Sequence, residues 1–192
     1  MSEPIFVNAA PSNVPFRHVS IPGILSTEDA RRALHWLREE APWKLRVEDF
    51  YEQHEFSLLN ADLGEEILFL IEKSFIEQIR GAMREYFGLR ALPTLIDINA
   101  HRLTAQQAIR VHNDYIEGEE THRLLMQLND GWTLDKGGVL MLFSGPETFH
   151  SAILPRHADG FAFEISPNSY HAVSQIKHGE RFTVVYSFRS HP

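Results

Sequence analysis

Apolar positions change their spacing near residue 93, and the change divides the chain into two textures. In the N-terminal region the period is helical. Ala30, Ala33, Leu34 and Leu37 recur on one face behind Ser26, which stands as an N-cap with Asp29 three residues on, and Pro42 ends the run. A second and longer pattern starts near Asp62, carries Ile67, Leu70, Ile71, Phe75, Ile79, Met83 and Tyr86, and stops at Gly88, a C-terminal cap residue. Around these helices, residues 1–15 read as an extended lead-in with Pro4, Pro11 and Pro15, and residues 16–25 as a short strand entering a Pro22-Gly23 turn. Residues 43–59 read as strand and loop.

From Pro93 onward short β-type runs replace helical spacing. The candidates are 94–103, 109–112, 123–129, 139–143, 161–165, 169–173 and 182–188. Asn129-Asp130-Gly131, Lys136-Gly137-Gly138, Ser144-Gly145-Pro146 and Lys177-His178-Gly179 separate several of them as turns. Many short strands without intervening helices imply antiparallel pairing in a sandwich or barrel. No repeat or linker marks a second unit. One domain over residues 1–192 is expected, with helical support in 1–92 and a β core in 93–190.

Composition narrows the chemistry. With 192 residues and 43% apolar content the chain can bury a sizeable core. There is no cysteine, so any metal must be held by His, Asp or Glu. A formal net charge of −8 argues against nucleic acid or anionic membrane as a partner. No apolar run reaches the length of a membrane span, and the opening residues lack the basic region of a signal peptide, so a cytoplasmic protein is expected.

Four residues carry the functional reading. His112 and Asp114 form a His-Asn-Asp triplet at the end of a strand, His171 follows 59 residues later, and Arg181 comes ten after that. Two imidazoles and one carboxylate on one face of a metal are the ligand set of a non-haem Fe(II) site that activates oxygen. With eleven histidines in the chain, a His-x-Asp triplet also arises by chance, and a second stands at 157–159. That one reads as a polar turn, because 14 residues are too few to cross a sheet and return to His171. The nine other histidines (His18, His35, His54, His101, His122, His150, His157, His178 and His191) read individually as ordinary structural residues.

This constellation resembles the Fe(II)/2-oxoglutarate-dependent dioxygenases, especially the prolyl-4-hydroxylase-like branch. Leu128-Asn129 before a turn, Gly137-Gly138 opening a strand and Pro167 ahead of His171 match the same pattern, which covers residues 94–189. The resemblance implies a double-stranded β-helix (jelly roll) braced by the two α-helices. It implies Fe(II) on His112, Asp114 and His171, with 2-oxoglutarate and O2 as cosubstrates. Arg181 would pair with the far carboxylate of 2-oxoglutarate, supported by Thr183 on the same strand face. The resemblance further implies release of succinate and CO2 and hydroxylation of an aliphatic C–H. Where such enzymes often carry a Tyr on the preceding strand, this chain has Asn99, His101 and Arg102. Arg123 and Gln127 read equally as cavity or surface residues.

Residues 43–59 and 144–160 are the material available to cover the site. Their mixed charge suits a small polar, amino-acid-like or peptidyl substrate. The competing reading is a cupin-like jelly-roll metal protein that does not use 2-oxoglutarate. Such a protein has no reason to place a cation at Arg181.

Overall fold

The computed structural model describes residues 6–190. The first five residues of the expected lead-in, and His191, lie outside that range. Twelve strands among the described residues join in one curled sheet, with neighbours in the order β1-β2-β10-β7-β12-β5-β4-β6-β11-β8-β9 and β3 attached to β4. In chain order these are β1 (Ala10–Ser12), β2 (His18–Ile21), β3 (Lys44–Glu48), β4 (Tyr51–Ser57), β5 (Thr94–Leu103), β6 (Ile109–His112) and β7 (His122–Gln127). Then follow β8 (Leu140–Gly145), β9 (Thr148–Ile153), β10 (Gly160–Glu164), β11 (His171–Val173) and β12 (Arg181–Arg189). The pairings are antiparallel, as the short-strand pattern requires.

Two α-helices cover one face, α1 (Thr27–Glu39) and α2 (Lys73–Phe87). Helix α1 begins as read, with the Ser26 hydroxyl accepting from the Asp29 amide. Helix α2 does not begin near Asp62. Residues Leu68–Ile71 form a separate 3-10 turn, and Glu72 is extended before the helix starts. A physical reason lies across the sheet. The carbonyl of Leu70, which a continuous helix would turn toward Ser74, accepts instead from the Tyr186 hydroxyl at 2.7 Å. The C-terminal end is as read, with Gly88 left-handed at φ 59°.

Three strands were not resolved by the apolar pattern. Residues 43–59 form the β3–β4 hairpin, and the 144–160 connection contains β9. Every residue of β3 is exposed and β9 is mostly so, so neither alternates apolar with polar strongly enough to be legible. Strand β1 is an edge strand carrying Pro11.

Strand β12 shows how the layers are built. Phe182, Val184, Tyr186 and Phe188 point into a core shared with Ala30, Leu37, Ile79 and Met83 of the helices. Arg181, Thr183, Val185 and Ser187 alternate onto the other face and line a cavity. The same strand therefore anchors the helices and furnishes the cavity wall.

Tyr186→Phe is expected to destabilise the fold by roughly 1–3 kcal/mol, because it removes the donor from a buried carbonyl while keeping the ring. Urea unfolding monitored by circular dichroism checks this. An unchanged midpoint would mean that the bond to Leu70 contributes nothing net.

Candidate metal centre

His112 closes β6 and His171 opens β11, and the two strands pair so that these residues are direct partners. The metal motif thus comes together through strand register, which sets the two imidazole rings 4.3 Å apart between centroids. Each ring directs Nδ1 at a backbone carbonyl two residues back, Arg110 for His112 and Ser169 for His171, both at 2.8 Å. With Nδ1–H donating outward, Nε2 is left as the lone-pair nitrogen facing inward.

Asp114 meets both nitrogens. Its Oδ1 lies 3.4 Å from His112 Nε2 and its Oδ2 lies 3.2 Å from His171 Nε2. One donor atom from each of the three residues falls within 4.8 Å of the others. Asp114 reaches this position with φ 55°, a left-handed conformation that Asp tolerates better than most side chains. The turn is secured on either side. Asn113 Oδ1 accepts from the Tyr115 amide, Asn113 Nδ2 donates to the Pro167 carbonyl, and the Ser169 hydroxyl donates to the Asn113 carbonyl. The loops carrying Asp114 and His171 are thereby tied to each other. Burial pushes the Asp114 carboxyl up, but the Arg123 guanidinium beside it outweighs this and holds it well below the usual range. Burial is also the largest effect on His171, and it lowers the imidazole so that the neutral, ligating form is favoured.

The three residues stand in the wall of a cavity of about 760 Å³. Arg181 and Thr183 line the same cavity. Arg181 is only 3% exposed, and its Nε and Nη2 are buried without a hydrogen-bond partner. Burial pushes the guanidinium down to about 10, so it remains a cation at neutral pH. A buried charge without a partner is costly, and such positions persist where a ligand supplies the counter-charge. Gly138 makes room for the arginine stem, because a Cβ there would lie 3.1 Å from Arg181 Cδ, at φ 64°. The Thr183 hydroxyl donates to Gln127 Oε1 at 3.1 Å.

Strand β5 places Asn99 and His101 on the cavity wall, with His101 paired in register to Thr183. Burial, reinforced by Arg123 and Arg181, pushes His101 down to about 3, so it is a neutral hydrogen-bonding group. Arg123, left open between cavity and surface, lines the cavity, whereas Gln127, at the other end of the same strand, is buried and does not. Arg123 Nη1 donates to Asp114 Oδ2 at 2.6 Å, while Nε and Nη2 grip Glu120 at 2.9 and 2.6 Å. Glu120 carried no signal in the sequence, since its place at the site depends on how the 114–123 loop folds back.

Of the two candidate covering segments, only one reaches the site. Arg46, Phe50, Tyr51, Gln53 and Glu55 of the β3–β4 hairpin line the cavity, and no residue of 144–160 does. The latter segment pairs along β8 as β9, away from the metal ligands. The other His-x-Asp triplet is also elsewhere. Asp159 Oδ1 accepts from the Gly23 amide, the turn role expected of it.

The sequence pattern of the 2OG-Fe(II) oxygenase superfamily matches residues 98–189, a stretch containing His112, Asp114, His171, Arg181 and Thr183. The chain is 26% identical over 168 residues to the mouse prolyl 3-hydroxylase OGFOD1, covering 84% of this chain and 30% of that protein's length. Two solved structures share the fold. A Pseudomonas putida prolyl-4-hydroxylase superposes with TM-score 0.72 at 19% identity, covering 91% of this chain and 93% of that one. A Trichoplax adhaerens prolyl hydroxylase, in complex with a hypoxia inducible factor peptide fragment, superposes with TM-score 0.76 at 14% identity, covering 90% of this chain and 83% of the other. Both likenesses agree with the double-stranded β-helix expected from the sequence. No helix among the described residues is long and apolar enough to cross a membrane.

Proposed function

We propose that this chain is a 2OG-Fe(II) oxygenase that uses Fe(II), 2-oxoglutarate and O2 and hydroxylates an aliphatic carbon of a peptidyl prolyl residue. Fe(II) is held by His112, Asp114 and His171, and the far carboxylate of 2-oxoglutarate by Arg181 with Thr183 beside it. The chain acts as one catalytic unit, in which α1 and α2 brace the sheet and strands β1–β4 of the N-terminal part join it.

The donor set fits the metal. Two imidazole nitrogens freed by their backbone hydrogen bonds and one ionised carboxylate converge on one point, with open cavity on the remaining side. When bound, iron and 2-oxoglutarate supply oxidative decarboxylation to succinate and CO2 and the transfer of one oxygen atom to a C–H bond. The chain's own residues bind and orient. The Arg181 fork has the planar geometry for a carboxylate, and its burial excludes the water that would screen the pair. Leu125, Val173 and Val185 give apolar, buried wall to the cavity that the arginine and the metal ligands share. A jelly-roll metal protein that did not use 2-oxoglutarate would leave the Arg181 charge without a counterpart, which is the observation that carries this reading.

Two features support a peptidyl rather than a small free substrate. The cavity is in the upper half of the range of about 300–1,000 Å³ for ligand pockets. Its mouth is formed by Ile96, Tyr115 and Ile116, exposed at 43%, 42% and 65%, together with Tyr51 of the hairpin. An open rim that sets these apolar side chains beside the exposed charges of Arg46 and Glu119 suits an extended chain laid across it better than a small free amino acid. Similar proteins are named as prolyl hydroxylases, one of them in complex with a peptide.

A succinate-formation assay across proline-containing peptides, matched peptides without proline, and free amino acids tests the proposal. Turnover is expected with the proline peptides, with a gain of one oxygen on proline by tandem mass spectrometry. Succinate formed only with free amino acids would overturn the peptidyl assignment.

A further inference from the structure

Arg123 is positioned more tightly than a wall residue needs to be. Two of its nitrogens close a bidentate fork on Glu120 at 2.9 and 2.6 Å, and the third donates to Asp114 Oδ2 at 2.6 Å. All three are short, charge-assisted bonds. Glu120 and Arg123 sit at the far end of the loop that Asp114 begins, and the arginine is fixed to the sheet as the register partner of Ser187 and Phe163. The clamp therefore joins the two ends of a loop whose first residue is held in a left-handed conformation.

We infer that Arg123, oriented by Glu120, is the positioning residue that fixes the rotation of the Asp114 carboxylate for metal binding. This rests on the reading of His112, Asp114 and His171 as the iron ligands. A carboxylate has two soft torsions, and nothing in the left-handed turn itself sets the last of them. The two imidazoles are fixed by their backbone acceptors, whereas Asp114, apart from the Nε2 atoms of its two fellow ligands, has Arg123 for this purpose among the described residues. Outer partners of metal ligands act in this way, setting ligand orientation.

The sign of the effect has to be weighed, because a cation beside a ligand also opposes a metal ion. Here Glu120 neutralises Arg123 through two bonds, so the pair adds little net charge at Asp114 and orientation is what remains. That balance separates the two variants. Arg123→Met removes the orienting donor, and Glu120→Gln leaves the donor while releasing its grip and unmasking its charge. Both are expected to weaken the metal.

Anaerobic titration with Mn(II) alone, read by the electron paramagnetic resonance of the free ion, measures this without recourse to activity. Arg123→Met is expected to lower Mn(II) affinity by about 10–100-fold, the range for partners of metal ligands. Arg123→Lys is expected to recover some of the loss, since an ammonium replaces one of the three bonds but not the fork. Glu120→Gln is expected to lie between Arg123→Met and wild type, and to cost nothing further once Arg123→Met is in place, because the two act through one carboxylate. Wild-type or tighter Mn(II) binding in Arg123→Met overturns the inference. Should Arg123→Met fail to fold, Glu120→Gln decides alone, and unchanged affinity there overturns it equally. Asp114→Ala separates the two levels. If it still binds Mn(II) as wild type does, the ligand reading fails and the inference falls with it. If it loses the metal while Arg123→Met does not, only the inference fails.

Discussion

Arg181→Ala weakens 2-oxoglutarate binding by about 2–5 kcal/mol, the cost of truncating one side of a buried, hydrogen-bonded charge pair. At 1.4 kcal/mol per tenfold that is roughly thirtyfold to several thousandfold in Kd. Metal affinity is expected to stay near wild type, because no ion pair or hydrogen bond links Arg181 to His112, Asp114 or His171 among the described residues. Arg181→Lys falls between, a point charge replacing a planar fork. Calorimetric titration of the Mn(II)-loaded protein with 2-oxoglutarate measures the series, and wild-type affinity in the Ala variant would refute the assignment. Arg123, committed to Glu120 and Asp114, and Arg46, paired with Glu48 and Glu55, also line the cavity, and Arg102 faces Glu180 at 3.5 Å, so each already has a carboxylate partner. The ligand-free protein should respond in the opposite direction. Because Arg181 Nε and Nη2 are buried without partners, Arg181→Met is expected to raise stability in the absence of 2-oxoglutarate. A binding site that carries an unpaired charge for its ligand gives up stability that a substitution can recover.

The features of this site that were legible in the sequence are those whose geometry is local or is set by strand period. Arg181 and Thr183 share a face because side chains alternate along β12, and Asn113 announces the turn that presents Asp114. His112 and His171 are far apart in sequence, yet each lies at a strand end, and the antiparallel meander brings the two ends together. What was not legible depends on contacts that only closure creates. The break ahead of α2 follows from a Tyr186 hydroxyl 116 residues away along the chain, and apolar spacing alone runs straight through it. Glu120 looks like one more surface acid until the loop returns Arg123 to Asp114. Segment 144–160 looks like a cover for the site because it is long and irregular in its sequence pattern. It contains an edge strand whose side chains are mostly exposed, and an exposed edge strand has no apolar alternation to reveal it.

Removing His171 tests the centre of the proposal, and it needs a readout that survives a loss of stability. The ring is 6% exposed and packs against Phe163 at 4.9 Å between centroids, so His171→Ala opens a cavity and lowers Tm whatever its role. The informative quantity is therefore the shift that metal induces. A ligand that binds only the folded state stabilises it by about 2.7 kcal/mol at one hundred times its Kd. For a chain of this size that is a Tm rise of roughly 5–11 °C, at about 2–4 °C per kcal/mol. Wild type is expected to show such a rise with Mn(II) or, anaerobically, with Fe(II). His171→Ala, His112→Ala and Asp114→Ala are each expected to lose it, since deleting one of three protein ligands should exceed the 10–100-fold cost of disturbing an outer partner. His101→Ala is the matched control, because His101 lines the same cavity and is equally a histidine on a strand, but lies outside the group of three. Its metal-induced shift should equal that of wild type. An undiminished shift in His171→Ala, or one lost in His101→Ala but kept in His112→Ala, would move the metal to a different set of residues. The Fe(II)–2-oxoglutarate charge-transfer band tests the same assignment by an independent route. It is expected in wild type and His101→Ala, absent when any of the three ligands is removed, and recovered in Arg181→Ala only at raised 2-oxoglutarate.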